Sequence, residues 1–147
     1  MHHSLTRVLP YTPDQLFALV GDVEAYPLFV PWVTKLTTSN RRQDEAGVTT
    51  FNAQAQVGFS IVHERFSTQV RLNAPALSVD VALISGPFRR LENHWRFAAL
   101  PSGAQLTFEI DFAFKSRLLE GLLAANFHRA VSRLVACFEA RAKALYG

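Results

Sequence analysis

Sulfur is scarce in this chain, with one cysteine and one methionine among 147 residues. Cys137 alone cannot make an internal disulfide, and its place beside Leu134, Val135 and Phe138 predicts a small buried filler rather than a reactive thiol. No apolar run approaches the roughly 18–20 residues of a bilayer-spanning helix, and the N-terminus lacks the basic flank and apolar core of a secretion signal. The expected location is the cytoplasm, with peripheral contact at the inner membrane as the one extension. Gly-X-Ser-X-Gly elbows, phosphate loops and dinucleotide fingerprints do not occur, and Ser60, Ser67 and Ser132 lack an evident histidine-and-acid arrangement. His63, His94 and His128 are far apart, with no carboxylate at metal-site spacing, while His2 and His3 sit at the terminus. The expectation is a protein without catalytic residues, metal or cofactor. A cyclase-like activity stays open as an alternative, because such pockets rely on shape and one or two polar groups rather than on a motif.

What is abundant is aromatic and apolar. Hydrophobic residues make up 49% and charged residues 18%, and the 12 Phe outnumber two Trp and three Tyr, which describes a packed globule rather than a disordered chain. The length suits one domain, 1–147. A net charge of +3 is mildly basic and favours an anionic surface, phospholipid or RNA alike.

Along the chain, residues 4–10 read as a short strand. Thr12-Pro13-Asp14-Gln15 then reads as a helix start with Thr12 as N-cap, Pro13 in the first turn and Gln15 three residues on, and Gly21-Asp22 as its stop. In Tyr26-Pro27-Leu28-Phe29-Val30-Pro31-Trp32 the prolines forbid a regular helix while the large apolar side chains demand burial or a partner. Strands are expected over 33–41, 47–57, 59–72, 76–84, 90–98 and 104–115, joined by turns too short for parallel crossovers, so the sheet is an antiparallel meander. From Arg117 to Leu145 an apolar stripe at three- and four-residue steps predicts one long helix of roughly 29 residues. Its first half is the wider, because Leu118 and Leu122 lie beside Leu119 and Leu123.

Three stretches in order carry a resemblance: Asp22-Val23-Glu24-Ala25-Tyr26-Pro27-Leu28-Phe29-Val30-Pro31-Trp32, then Gly86-Pro87-Phe88-Arg89-Arg90-Leu91-Glu92-Asn93-His94-Trp95-Arg96-Phe97, and finally Phe138-Glu139-Ala140-Arg141-Ala142-Lys143-Ala144-Leu145-Tyr146-Gly147. With them the chain resembles the coenzyme Q-binding START-like family, including its RatA-type bacterial members, within the polyketide cyclase/dehydrase superfamily. One departure is Val33, which follows Trp32 where the family pattern carries a cysteine. The resemblance implies an α+β helix-grip fold, a curved antiparallel sheet of six to seven strands around a long C-terminal helix. It implies a quinone chaperone that holds ubiquinone or a similar prenyl lipid and supports respiratory electron transport. It also brings a rival partner, the ribosomal subunit, whose association a RatA-type protein interferes with; DNA is not expected.

The residues expected to line a ligand follow from that layout. Tyr26, Pro27, Phe29, Pro31 and Trp32 form either a lid over the cavity or a plug at one end of the core, and Tyr26 and Trp32 each bring a hydrogen-bond donor. Phe88, placed by Pro87 at the tip of a turn, either lines the entrance or only closes a hairpin. Arg89 and Arg90 beside it can meet phosphates or stay solvated. Glu64 shares its strand parity with Val62, Phe66, Val70 and Leu72, unless a bulge near Ile61-Val62 shifts the register. Pointing inward, it needs a partner such as Arg65, Arg96 or a ligand hydroxyl. Phe51, Phe66 and Trp95 complete the sheet side, and Leu118, Leu122 and Phe127 the helix side, where an emerging prenyl tail would leave.

Overall fold

The computed structural model describes residues 1–147 apart from Ser60, Ile61 and the side chain of Phe59, so the expected bulge at Ile61-Val62 and the reading of Ser60 lie outside the described residues. The elements run β1 (His2–Leu9), α1 (Pro13–Gly21), a 3₁₀ turn (Val23–Leu28), β2 (Val33–Gln43), β3 (Val48–Phe59), β4 (Val62–Asn73), β5 (Ser78–Ser85), β6 (Phe88–Leu100), β7 (Gly103–Phe114), α2 (Arg117–Ala124) and α3 (Phe127–Tyr146). All pairings are antiparallel, in the order β1-β7-β6-β5-β4-β3-β2. The sheet grips α3, which is the helix-grip architecture.

Local chemistry accounts for the elements. Thr12 caps α1 reciprocally, its Oγ1 accepting from Gln15 N at 3.1 Å while Gln15 Oε1 accepts from Thr12 N at 3.0 Å. Strand β7 alternates buried Leu106, Phe108 and Phe112 with wetter Thr107, Glu109 and Asp111. Gly103, at φ +157°, lies so close to Leu9 that a Cβ there would stand 2.0 Å from the Leu9 carbonyl oxygen.

Two expectations need correction. The C-terminal segment is not one helix, because it breaks at Ala125 and Asn126. Asn126 competes poorly as a helix former and takes the N-cap position of α3 at φ −123°. The apolar stripe crosses the break without a glycine or proline, so periodicity could not reveal it. Phe88 is not a turn tip either: it is the first residue of β6, opposite Phe114.

Candidate functional site

The pairing registers define which side chains share the concave face. On β3 they are Phe51, Ala53, Ala55 and Val57, opposite Val70, Thr68, Phe66 and Glu64 on β4. Val81 then faces Asn93, and Asn93 faces Ile110. Burial along this face is graded. At one end Phe51, Val79, Leu106 and Phe108 are each at most 1% exposed, packed under α1 and the C-terminal half of α3. Toward the other end Val57, Glu64, Phe66, Leu83, Phe88, Leu91 and Phe114 are only half-buried. The helix nearest that end, α2, buries none of its residues. The result is a face filled at one end and only partly covered at the other, an apolar stretch termed the trough; the concavities of about 430 Å³ beside Phe29 and beside Asn40 lie outside it.

Phe88 organises the trough's wall. Its ring stacks on Phe114 at 4.8 Å and meets Phe66 edge-on at 5.3 Å, with Phe112 at 6.3 Å. The preceding turn makes this approach feasible: Gly86 sits at φ +148°, and a Cβ there would lie 2.5 Å from Phe66 Cβ. The carbonyl of Pro87 accepts from Lys115 N at 2.9 Å and fixes the turn against the end of β7. Phe127 is buried at the start of α3, 4.8 Å from Phe112, and so closes the floor. Leu118 and Leu122 turn the other way, 72% and 57% exposed.

Polar groups on this face are few. Glu64 is half-buried, and among the described residues its carboxylate has neither a hydrogen bond nor an ion pair. Neither expected protein partner reaches it. Arg65 occupies the opposite strand face, and Arg96 bonds Asp80 at 2.9 Å and the Trp95 carbonyl at 2.9 Å. A residue the sequence reading passed over matters more: the Oδ1 of Asn93 is buried and has no hydrogen-bond partner among the described residues. Burying such an amide unpaired costs about 1–3 kcal/mol, so the group is poised to take a partner. The available signal was a polar residue at an apolar parity, Leu91-Asn93-Trp95-Phe97. A flip of the amide presents NH₂ in place of oxygen, which lets Asn93 serve a ligand carbonyl or hydroxyl.

The 26–32 loop lies along the β2 margin. Tyr26 gives its hydroxyl proton to the Val20 carbonyl and packs edge-on to Phe138 at 5.1 Å. Burial, with the Asp22 charge adding to it, pushes its phenol far above the ordinary value. Its donor is therefore already used by the backbone. Phe29 also meets Phe138, and its outer face borders a shallow groove of about 430 Å³ with Ala136, Ala140 and Cys137. Cys137 is thus half-buried, packed against the core with one side on that groove, and burial pushes its thiol up despite the opposing charge of Arg133. The backbone of Trp32 reaches the open end, its carbonyl accepting from Gly58 N at 2.9 Å, while its ring faces the Arg133 guanidinium at 5.7 Å. Its indole N–H has no protein acceptor among the described residues.

The structure therefore gathers Glu64, Phe66, Pro87, Phe88 and Phe127 around the trough, with Trp32 at its rim and Leu118 and Leu122 outside it. Phe51 and Trp95 belong to the filled end, where Trp95 is held between Phe108 at 4.3 Å and Phe138 at 4.9 Å. Pro27 stiffens the 3₁₀ turn, and Pro31 is exposed beyond it. Arg89 and Arg90 pair with Glu120 and Asp111 at 3.3 and 3.2 Å. Among the described residues no group of three His, Cys, Asp or Glu could hold a metal ion, and no helix is long and apolar enough to cross a membrane.

Comparison with known proteins agrees with this layout. The chain is 32% identical over 138 residues to the ribosome association toxin RatA of Rickettsia prowazekii (strain Madrid E), covering 94% of this chain and 93% of that one. It is 32% identical over 152 residues to the coenzyme Q-binding protein COQ10 homolog B, mitochondrial, of Xenopus laevis, covering all of this chain and 60% of the relative. The solution structure of the 18 kDa protein CC1736 from Caulobacter crescentus is 56% identical, with a TM-score of 0.84 over 100% of this chain and 99% of that one. Residues 9–139 match the family described as polyketide cyclase / dehydrase and lipid transport, and the chain belongs to it.

Proposed function

We propose that the chain binds ubiquinone or a similar prenylated lipid in the trough and acts as a quinone chaperone for respiratory electron transport, without catalysing a reaction of its own. The observation that carries this reading is the contrast inside one face: aromatic side chains left half-buried at one end, a buried Asn93 oxygen between Val81 and Ile110 with no partner among the described residues, and a covering helix that buries none of its residues. Covering such a surface with an isoprenoid chain contributes on the order of 0.8 kcal/mol per buried methylene. The quinone ring fits the aromatic wall of Phe66, Phe88 and Phe114, with Asn93 and the Trp32 indole N–H as polar groups for its carbonyls. A long tail outreaches a domain whose radius of gyration is roughly 15 Å. Its exit is along Leu118 and Leu122, where α2 already exposes apolar surface. The names of the COQ10 relative and of the family support the ligand class.

Native mass spectrometry with lipid extraction from freshly purified protein tests the proposal. The expected result is a co-purifying quinone whose signal falls when Phe88 is replaced by Ala. Protein that stays empty, and that takes up no ubiquinone from loaded vesicles, would sink it.

The name of the RatA relative attaches a second reading, association with a ribosomal subunit. The outer face of the sheet favours it. The third reading, a cyclase-type enzyme, hangs on Glu64, and loss of turnover of a polyketide-like substrate in Glu64→Gln is the result that would support it.

A further inference from the structure

The outer face of the sheet is divided by charge. On β5, β6 and β7 it carries Asp80, Glu92, Glu109 and Asp111 beside a few arginines. On β2, β3 and β4 the described outward positions hold no carboxylate at all. They carry Lys35, Arg42, Arg65 and Arg71, all exposed, set among Thr37, Ser39, Thr50, Asn52, Gln54, Gln56, Ser67 and Gln69. The cations form two cross-strand rows, Arg42–Thr50–Arg71 and Lys35–Gln56–Arg65. At about 4.8 Å per strand, Arg42 and Arg71 stand roughly 10 Å apart astride Thr50, close enough for both guanidinium groups to reach one phosphate. Six residues separate the rows along β3, about 20 Å.

Among the described residues neither Arg42 nor Arg71 has a carboxylate within ion-pair distance. Asp80, opposite Arg71, is already held by Arg96 at 2.9 Å and His94 at 2.6 Å. Asp44, beyond Arg42 in the next turn, accepts from Ala46 N and Val48 N, both at 2.9 Å. The first row borders a concavity of about 430 Å³ lined by Asn40, Arg41, Arg42, Thr50, Asn52 and Gln69. Its rim is a bulge in β2, where the register slips between Ser39 and Arg42 and Asn40 adopts φ +54°.

We propose that this face of β2–β4 docks on the sugar–phosphate backbone of structured RNA. Charge complementarity supplies the affinity, because each phosphate met by Lys or Arg releases counterions. A bilayer is the poorer fit, since the described outward positions carry no large apolar side chain to insert. RNA suits the face better than DNA because the wide, shallow groove of an A-form duplex displays 2′-hydroxyls and base edges. The amides of Asn52, Gln54, Gln56 and Gln69 are placed to bond both. The inference deepens the second reading above by naming the surface and its chemistry, and it shares no residue with the lipid trough.

The test is fluorescence anisotropy with an RNA duplex of about 16 base pairs, repeated across salt concentrations, with a DNA duplex of the same sequence alongside. Affinity is expected to fall with salt at a log–log slope of roughly −2 to −4, in keeping with up to four cations. The Arg42→Gln/Arg71→Gln double variant should bind about tenfold more weakly, and Gln54→Glu, which puts a carboxylate at the centre of the face, at least as weakly. Arg89→Gln/Arg90→Gln should match the parent. RNA binding that ignores Arg42, Arg71 and Gln54 overturns the assignment, as does an equal preference for DNA or capture by anionic vesicles through the same arginines. If the protein binds the duplex through this face yet fails to sediment with ribosomal subunits, the RNA surface stands and the ribosomal reading falls. No binding at 50 mM salt removes the surface, and subunit association that then persists must use another.

Discussion

The two ends of the concave face have the same alternation of apolar residues and opposite fates. At the filled end Phe138 reaches from α3 into Tyr26, Phe29 and Trp95, with ring centroids at 5.1, 5.1 and 4.9 Å, and is 2% exposed. At the open end Phe88 makes as many ring contacts yet stays half-buried, because α2 has turned away behind the break at Asn126. Packing density, not side-chain type, separates the core from the surface proposed for binding. The filled end gains its stability in the absence of ligand, while the open end has apolar contacts still to make.

Breaking the comparison at its strong side gives the largest expected effect. Phe138→Ala should cost about 3–5 kcal/mol, read as a fall in the urea midpoint, because the cavity it leaves is walled by rigid aromatics. Phe88→Ala should cost about 1–2 kcal/mol, since less surface is lost from water's reach, yet it should release most of the bound quinone. Equal stability losses in the two variants would erase the distinction between the ends. Trp32→Ala should weaken quinone retention severalfold with little change in the midpoint, which sharpens the role of the rim. Leu118→Gln and Leu122→Gln should leave stability within about 0.5 kcal/mol, and should shorten the residence of long-tailed quinones more than that of a tailless analogue.

The smallest effects come from protons. Burial alone would raise the carboxyl of Asp80, but hydrogen bonds from His94 and Arg96, together with their charges, outweigh it and hold the group below the usual carboxylate value. Its contribution is therefore present above the ordinary value of 3.8 and is lost as pH falls through the lowered one. Asp80→Asn should flatten the melting temperature in that acid range. His3 is lowered by desolvation first and then by the charges of His128, whose Nδ1 is 3.0 Å from its own, and His2. Below about pH 6.5 the unfolded chain therefore takes up this proton more readily than the folded one, and stability should decline as pH falls. His3→Gln should remove that slope, and an unchanged profile would place the acid sensitivity elsewhere.

Much of this protein is local chemistry written along the chain. The capping box at Thr12, the two-residue alternation of β7 and the turn glycines determine the meander, because each depends on neighbours a few residues apart. The strand parity of Phe66 and the apolar width of the helix at Leu118 and Leu122 were legible for the same reason, whereas the place of Phe88 inside β6 was not. In three places the tertiary structure decides what the sequence leaves open. Asn126 favours a break by its own propensity, and α2, which buries none of its residues, is not held in line with α3. Asn93 becomes an unpaired acceptor only when Val81 and Ile110 flank it on neighbouring strands. The carboxylate-free face of β2–β4 assembles from segments whose charges are scattered in sequence. Which residues share a face is set by register, and register joins positions that the linear order keeps apart.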